Sequence, residues 1–152
     1  MVAKRLVINE WIFSDLLNEN GKERQLESIK FILLLTANDD LIGAIIGSKW
    51  FKKAQSLIGQ NNPLISNISR VIQGSLIWDS NKCILLSPNE IVNLPKNLEQ
   101  SVPQNDKYLA KIYLSISADV IITTDEELIY ILKGNQINVI HRDDFLKDYL
   151  NR

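Results

Sequence analysis

Apolar residues along this chain fall into short runs of two kinds, alternating from end to end. Short runs rich in Ile, Leu and Val alternate with longer stretches in which apolar residues return every three or four positions. Period two or a continuous short run predicts strand, and a period near 3.6 predicts helix. On this basis Arg5–Asn9 is a first strand, followed by a helical start over Trp11–Leu17 that Asn18–Gly21 breaks. Glu23–Leu35 is predicted helical, with Leu26, Ile29 and Leu33 on one face, and Asn38-Asp39-Asp40 as a turn. Leu41–Ile46 is a second strand, ended by Gly47, with Ser48 placed to cap a helix over Lys49–Ile58. Past Asn61-Asn62-Pro63, Leu64–Ile77 is helical with Ile65, Ile68, Ile72 and Leu76 aligned.

Cys83–Leu86 is a third strand. Ser87-Pro88-Asn89-Glu90 has the form of a capping box with proline at the first helical position, opening a short helix that stops before Pro95. Lys96–Asn105 is expected as a loop and Asp106–Ser117 as a helix burying Leu109, Ile112, Tyr113 and Ile116. Val120–Thr124 is a strand, and Thr124 with Glu127 a second capping box. Glu126–Lys133 is a helix with Gly134 at its C′ position. Ile137–Ile140 and Asp143–Leu150 close the chain as strand and helix.

About five strands with helices between them predict one α/β domain over residues 1–152, a three-layer α/β/α sandwich around a parallel sheet. In such a sheet a site lies beyond the carboxyl ends of the strands. Those ends carry Asn9-Glu10, Gly47-Ser48-Lys49, Ser87, Thr123-Thr124-Asp125 and His141-Arg142-Asp143.

Charge narrows the choice of chemistry. The 152 residues include 17 basic and 18 acidic ones, so nucleic-acid binding would need a local patch rather than the whole surface. The lone cysteine, Cys83, sits in an apolar run; it excludes an internal disulfide and a cysteine-rich zinc site. The single histidine, His141, has no visible partner and is expected as a surface or capping residue. Trp11 and Trp78 are expected in the core. No apolar run is long enough to span a bilayer, and Leu6–Ile8 is too short for a signal segment, so a cytoplasmic protein with no membrane association is expected.

Three acids from distant parts of the chain, Glu10, Asp106 and Asp125, could converge at the strand ends and offer oxygen ligands to Mg²⁺ or Mn²⁺. A metal so held activates water and neutralises charge on a phosphodiester. The competing reading of each acid is a helix cap or a partner for the helix dipole. Lys49, Lys52 and Lys53 form a phosphate-binding edge or a solvated helix face, with Trp50 and Phe51 as stacking surfaces or as core.

Asn105-Asp106-Lys107-Tyr108-Leu109-Ala110, followed by Ser117-Ala118-Asp119-Val120-Ile121-Ile122-Thr123-Thr124-Asp125-Glu126-Glu127-Leu128, resembles the distal half of a PIN domain, a metal-dependent ribonuclease fold. Leu6-Val7-Ile8-Asn9-Glu10 is similar to the family's first strand, and Ile137–Phe145 to its closing strand and turn. The resemblance implies that Asp106 and Asp125 are metal-ligating acids and that Thr123 orders the site. The family's first acid falls on Asn9. Its middle acid falls in Gly47-Ser48-Lys49-Trp50-Phe51-Lys52-Lys53, which has no carboxylate. Glu10 is the remaining candidate to complete the metal site.

The expectation that follows is an endoribonuclease in which Asp106, Asp125, Glu10 and Asn9 serve catalysis with Mg²⁺ or Mn²⁺, and Lys49, Lys52 and Thr123 contact RNA. The resemblance further implies a toxin with an antitoxin partner, and a homodimer. The alternative is a PIN-like domain that has lost turnover and binds RNA or a protein. A nucleotide-binding domain is disfavoured, because Gly47-Ser48-Lys49 lacks the glycine spacing of a phosphate loop.

Overall fold

The computed structural model describes residues 3–151. Five strands form one all-parallel sheet: β1 (Arg5–Ile8), β2 (Leu41–Ile45), β3 (Cys83–Leu86), β4 (Val120–Thr123) and β5 (Val139–His141), in the spatial order β3-β2-β1-β4-β5. Central β1 pairs Leu6 with both Ile42 and Val120, and Ile8 with Ile122. Leu6, Val7 and Ile8 are all buried, which is why this strand reads as a continuous apolar run rather than an alternating one.

Alternate residues of each strand feed two cores. Leu6, Ile8, Ile42, Ala44 and Ile122 face α1 (Trp11–Leu16), α2 (Lys22–Ala37), α3 (Lys49–Ser56), α4 (Pro63–Ile72) and α8 (Arg142–Tyr149). Val7, Ile121 and Val139 face α5 (Lys96–Ser101), α6 (Lys107–Ser115) and α7 (Glu126–Gly134). This is the expected three-layer α/β/α sandwich. Among the described residues no helix is long and apolar enough to cross a membrane.

Gly43 of β2 sets how closely α6 approaches the sheet. A Cβ there would lie 2.7 Å from side-chain atoms of both Ile112 and Ile116. The bare backbone at this point lets α6 settle against β2, and that fixes where Asp106 and Tyr108, at the start of α6, meet the sheet edge.

Several local expectations are corrected. In α2 the inward residues are Gln25, Ser28, Phe31, Ile32 and Leu35, whereas Leu26 and Leu33 are 50% and 48% exposed. Hydrogen bonding turns the helix this way: Gln25 Nε2 donates to the Leu16 carbonyl (2.9 Å) and Ser28 Oγ to Asp15 Oδ2 (2.9 Å). The expected loop over Lys96–Asn105 holds α5 and a 3₁₀ turn, Gln104–Asp106, anchored by buried Leu98 and Val102. The capping box at Ser87 is present but opens only a 3₁₀ turn, Pro88–Glu90. α4 runs on into a π-helical turn, Gln73–Ile77. Trp78, expected in the core, is 57% exposed, its ring edge against Phe51 and its indole N–H donating to Gln73 (3.1 Å). Gly134 lies inside α7, and the left-handed residue that follows is Gln136, at φ 65°.

One buried ion pair ties three helices together. Asp15 of α1 and Arg142 of α8 are almost wholly buried, and Arg142 Nε donates to Asp15 Oδ2 at 2.8 Å. Asn20 and Ser28 supply further donors to Asp15, at 2.8 and 2.9 Å. Arg142 also reaches Glu27, Asp143 and the Arg24 carbonyl, and lies 5.5 Å from the centre of the Trp11 ring. Burial opposes its charge, but Asp15, Asp143 and Glu27 outweigh that and hold its pKa above the ordinary value. Removing one partner of such a pair leaves a buried charge uncompensated. Asp15→Ala is therefore expected to cost about 3 kcal/mol in urea unfolding, and Asp15→Leu combined with Arg142→Met to cost less than Asp15→Ala alone. A double variant as unstable as the sum of both single variants would contradict this.

Candidate functional site

The carboxyl ends of β1 and β4 lie side by side, and Asn9 joins them. Its backbone N–H extends the ladder by donating to the Ile122 carbonyl (3.1 Å). Its side-chain Nδ2 donates to Thr123 Oγ1 (2.9 Å). Its Oδ1 accepts from Tyr108 OH (2.8 Å) and from the Glu10 backbone N–H (2.7 Å). An amide oxygen has two lone pairs, and both are occupied.

Thr123 is fully buried, and its hydroxyl oxygen also accepts the Asp125 N–H (3.2 Å). That bond shapes the turn from β4 into α7 and makes Asp125 the N-cap, with Oδ1 accepting from Leu128 N–H (3.1 Å). The cap thus lies one residue beyond Thr124, correcting the expected Thr124–Glu127 box. Asp106 ends its 3₁₀ turn and precedes α6, yet its carboxylate makes no cap bond. Glu10 lies past the end of β1, at the start of α1, and also caps nothing with its side chain. Because the strand has already ended, the alternation of side chains across a strand does not turn Glu10 away from the other acids.

These acids share one electrostatic neighbourhood. Partial burial, then the charges of Asp125 and Glu10, raise the Asp106 pKa. Burial, then Glu10 and Asp106, push the Tyr108 phenol far above its ordinary value, which keeps it protonated as a donor to Asn9. Lys53 Nζ lies 3.5 Å from Glu10 Oε1.

The expected site residues divide accordingly. Asn9, Glu10, Asp106, Thr123 and Asp125 come together. Lys49 and Lys52 are exposed and, among the described residues, form no side-chain hydrogen bond or ion pair; Lys53 is the member of that cluster which reaches the acids. Trp50 and Phe51 are buried, so neither offers a free stacking face. His141 caps α8, its Nδ1 accepting from Asp143 N–H (3.0 Å). Cys83 is buried, and burial raises its pKa to about 12, which removes it as a nucleophile near neutral pH. An open cavity beside the cluster, lined by Ser14, Asn20, Arg24, Thr124 and His141 among others, does not include Glu10, Asp106 or Asp125. Tyr108 was missed by sequence reasoning; its only signal there is an aromatic residue two positions after an acid that opens a helix.

The donor set does not fit a divalent ion as the side chains stand. Among the described residues no group of three or more His, Cys, Asp or Glu side chains is arranged to hold a metal. Asn9 has spent its oxygen, Asp125 has committed one oxygen to its cap, and Glu10 is paired with Lys53. Mg²⁺ and Mn²⁺ want near-octahedral oxygen shells, to which such a set contributes little. Asp106, Asp125, Glu10 and Asn9, expected to share a metal, stand together as a cluster in which Asn9 and Asp125 are hydrogen-bonded and Glu10 lies against Lys53. No protein-family model matches this chain, and no curated protein sequence matches it.

A raised carboxyl pKa has a stability consequence. Folded Asp106 holds its proton to higher pH than the unfolded chain does, so stability falls as pH rises above the ordinary value of 3.8 and stays lower beyond the folded pKa. Asp106→Asn is expected to raise Tm at about pH 7 and to give no gain near pH 3, where the carboxyl is neutral in both states. A Tm increase of the same size at both pH values would mean that charge is not the cause.

Proposed function

We propose that this chain is a PIN-like domain that binds single-stranded RNA at the carboxyl edge of its sheet without metal-dependent turnover. The observation that carries the absence of turnover is the state of Asn9. At the position where the resemblance places the first metal-ligating acid stands a neutral amide, with its oxygen bonded to Tyr108 and the Glu10 backbone. The acids that remain, Asp106 and Asp125, stand at the position of the Thr-x-Asp motif and its upstream helix start. RNA is favoured as the ligand by Lys49 and Lys52, which open α3 at the same end of the sheet and have no internal partner among the described residues. Unpaired lysines release counterions when they meet phosphate.

The second reading, an Mg²⁺- or Mn²⁺-dependent endoribonuclease, is favoured by one observation: Asp106 feels the charges of both Asp125 and Glu10, so the three acids share one neighbourhood. An antitoxin partner and a homodimer attach to either reading through the resemblance alone.

Fluorescence anisotropy with a labelled single-stranded RNA, run with and without Mn²⁺, separates the two. Saturable binding that weakens with salt, RNA that stays intact, and a roughly tenfold loss of affinity in Lys49→Glu/Lys52→Glu are the expected results. Mn²⁺-dependent cleavage that Asp125→Asn abolishes would establish the nuclease reading instead. Neither binding nor cleavage would sink both.

A further inference from the structure

Glu10 Oε1 is buried and accepts no hydrogen bond. A carboxylate oxygen in that state is unfavourable unless a cation compensates it. The cation at hand is the Lys53 ammonium, 3.5 Å away. Core packing holds it there. Trp50 of α3 meets Phe13 of α1 edge to face, with ring centroids 5.0 Å apart, so the start of α1, where Glu10 stands, runs beside the helix that carries Lys53. Trp50, Ala54 and Leu57 are buried, which fixes the rotation of α3 about its axis.

From this arrangement we infer that Lys53 is the resident cation of the acidic cluster: its ammonium takes the place on Glu10 that a divalent ion would take, and so excludes Mg²⁺ and Mn²⁺. Two physical effects act together. The ammonium neutralises one of the three carboxylates that would otherwise attract a metal. It also repels any second cation brought up to Glu10 Oε1. An ammonium presents donors and no lone pair, so it cannot itself join a metal's ligand shell. This rests on the metal-free half of the proposed function and is read without RNA, so a failure to bind RNA leaves it standing, and a failed Lys53 variant leaves RNA binding standing.

The test is Mn²⁺ binding followed by electron paramagnetic resonance on the full chain, without RNA, with folding checked by circular dichroism. Wild-type protein is expected to show no saturable site, and Lys53→Met to gain one, tighter than any wild-type binding by roughly tenfold or more. Lys53→Arg, which restores the charge, should behave as wild type, and adding Glu10→Gln to Lys53→Met should abolish the gain. Lys53→Gln replaces Lys53→Met if the methionine variant does not fold. The inference is overturned if wild type binds Mn²⁺ as tightly as the folded Lys53 variant, if that variant gains nothing, or if its gain survives Glu10→Gln.

Discussion

The side-chain amide of Asn9 is the junction on which the working edge of this molecule depends. β1 is the central strand, buried on both faces, and the residue that follows it must turn the chain out of the sheet beside the end of β4. Asn9 does so by bonding two segments remote in sequence, Thr123 at the end of β4 and Tyr108 at the start of α6, and its own successor Glu10. An aspartate could keep the two bonds to its oxygens but could not donate to Thr123. Each such bond contributes on the order of 1 kcal/mol net, and a larger penalty follows when its buried partner is left alone. The same amide that orders the edge therefore keeps its own oxygen from other ligands.

The charges around this neutral hub follow from it. With Asn9 saturated, Asp106 and Asp125 are brought near each other by the starts of α6 and α7. Glu10 turns to Lys53, and Tyr108 stays protonated between two acids because burial and their charges oppose its ionisation. On the first-core face the opposite solution operates. Asp15 and Arg142 bury full charges and satisfy them with Ser28, Asn20, Glu27 and Asp143, clamping α1, α2 and α8.

Much of this was legible in the chain because parallel strands buried on both faces leave short, unbroken apolar runs, and because the residues after those runs mark one edge of the sheet. Asn9, Glu10, Thr123 and Asp125 were found in that way. Tertiary hydrogen bonding concealed the rest. Leu26 and Leu33 satisfy a helical period, yet they face outward because Asp15 and the Leu16 carbonyl draw Ser28 and Gln25 inward. Leu98 and Val102 are too few to announce α5 by periodicity, though both are buried. Lys53 differs from Lys49 and Lys52 only through the contact between α1 and α3 that brings it to Glu10. Tyr108 joins the site through a residue 99 positions away.

The direct test of the Asn9 junction is a double-mutant cycle with Asn9→Ala and Tyr108→Phe, measured by urea unfolding. Removing either partner should remove the same bond, giving a coupling energy on the order of 1 kcal/mol. Two effects that simply add would mean that Tyr108 does not occupy the Asn9 oxygen, and the neutral hub proposed for this site would be wrong.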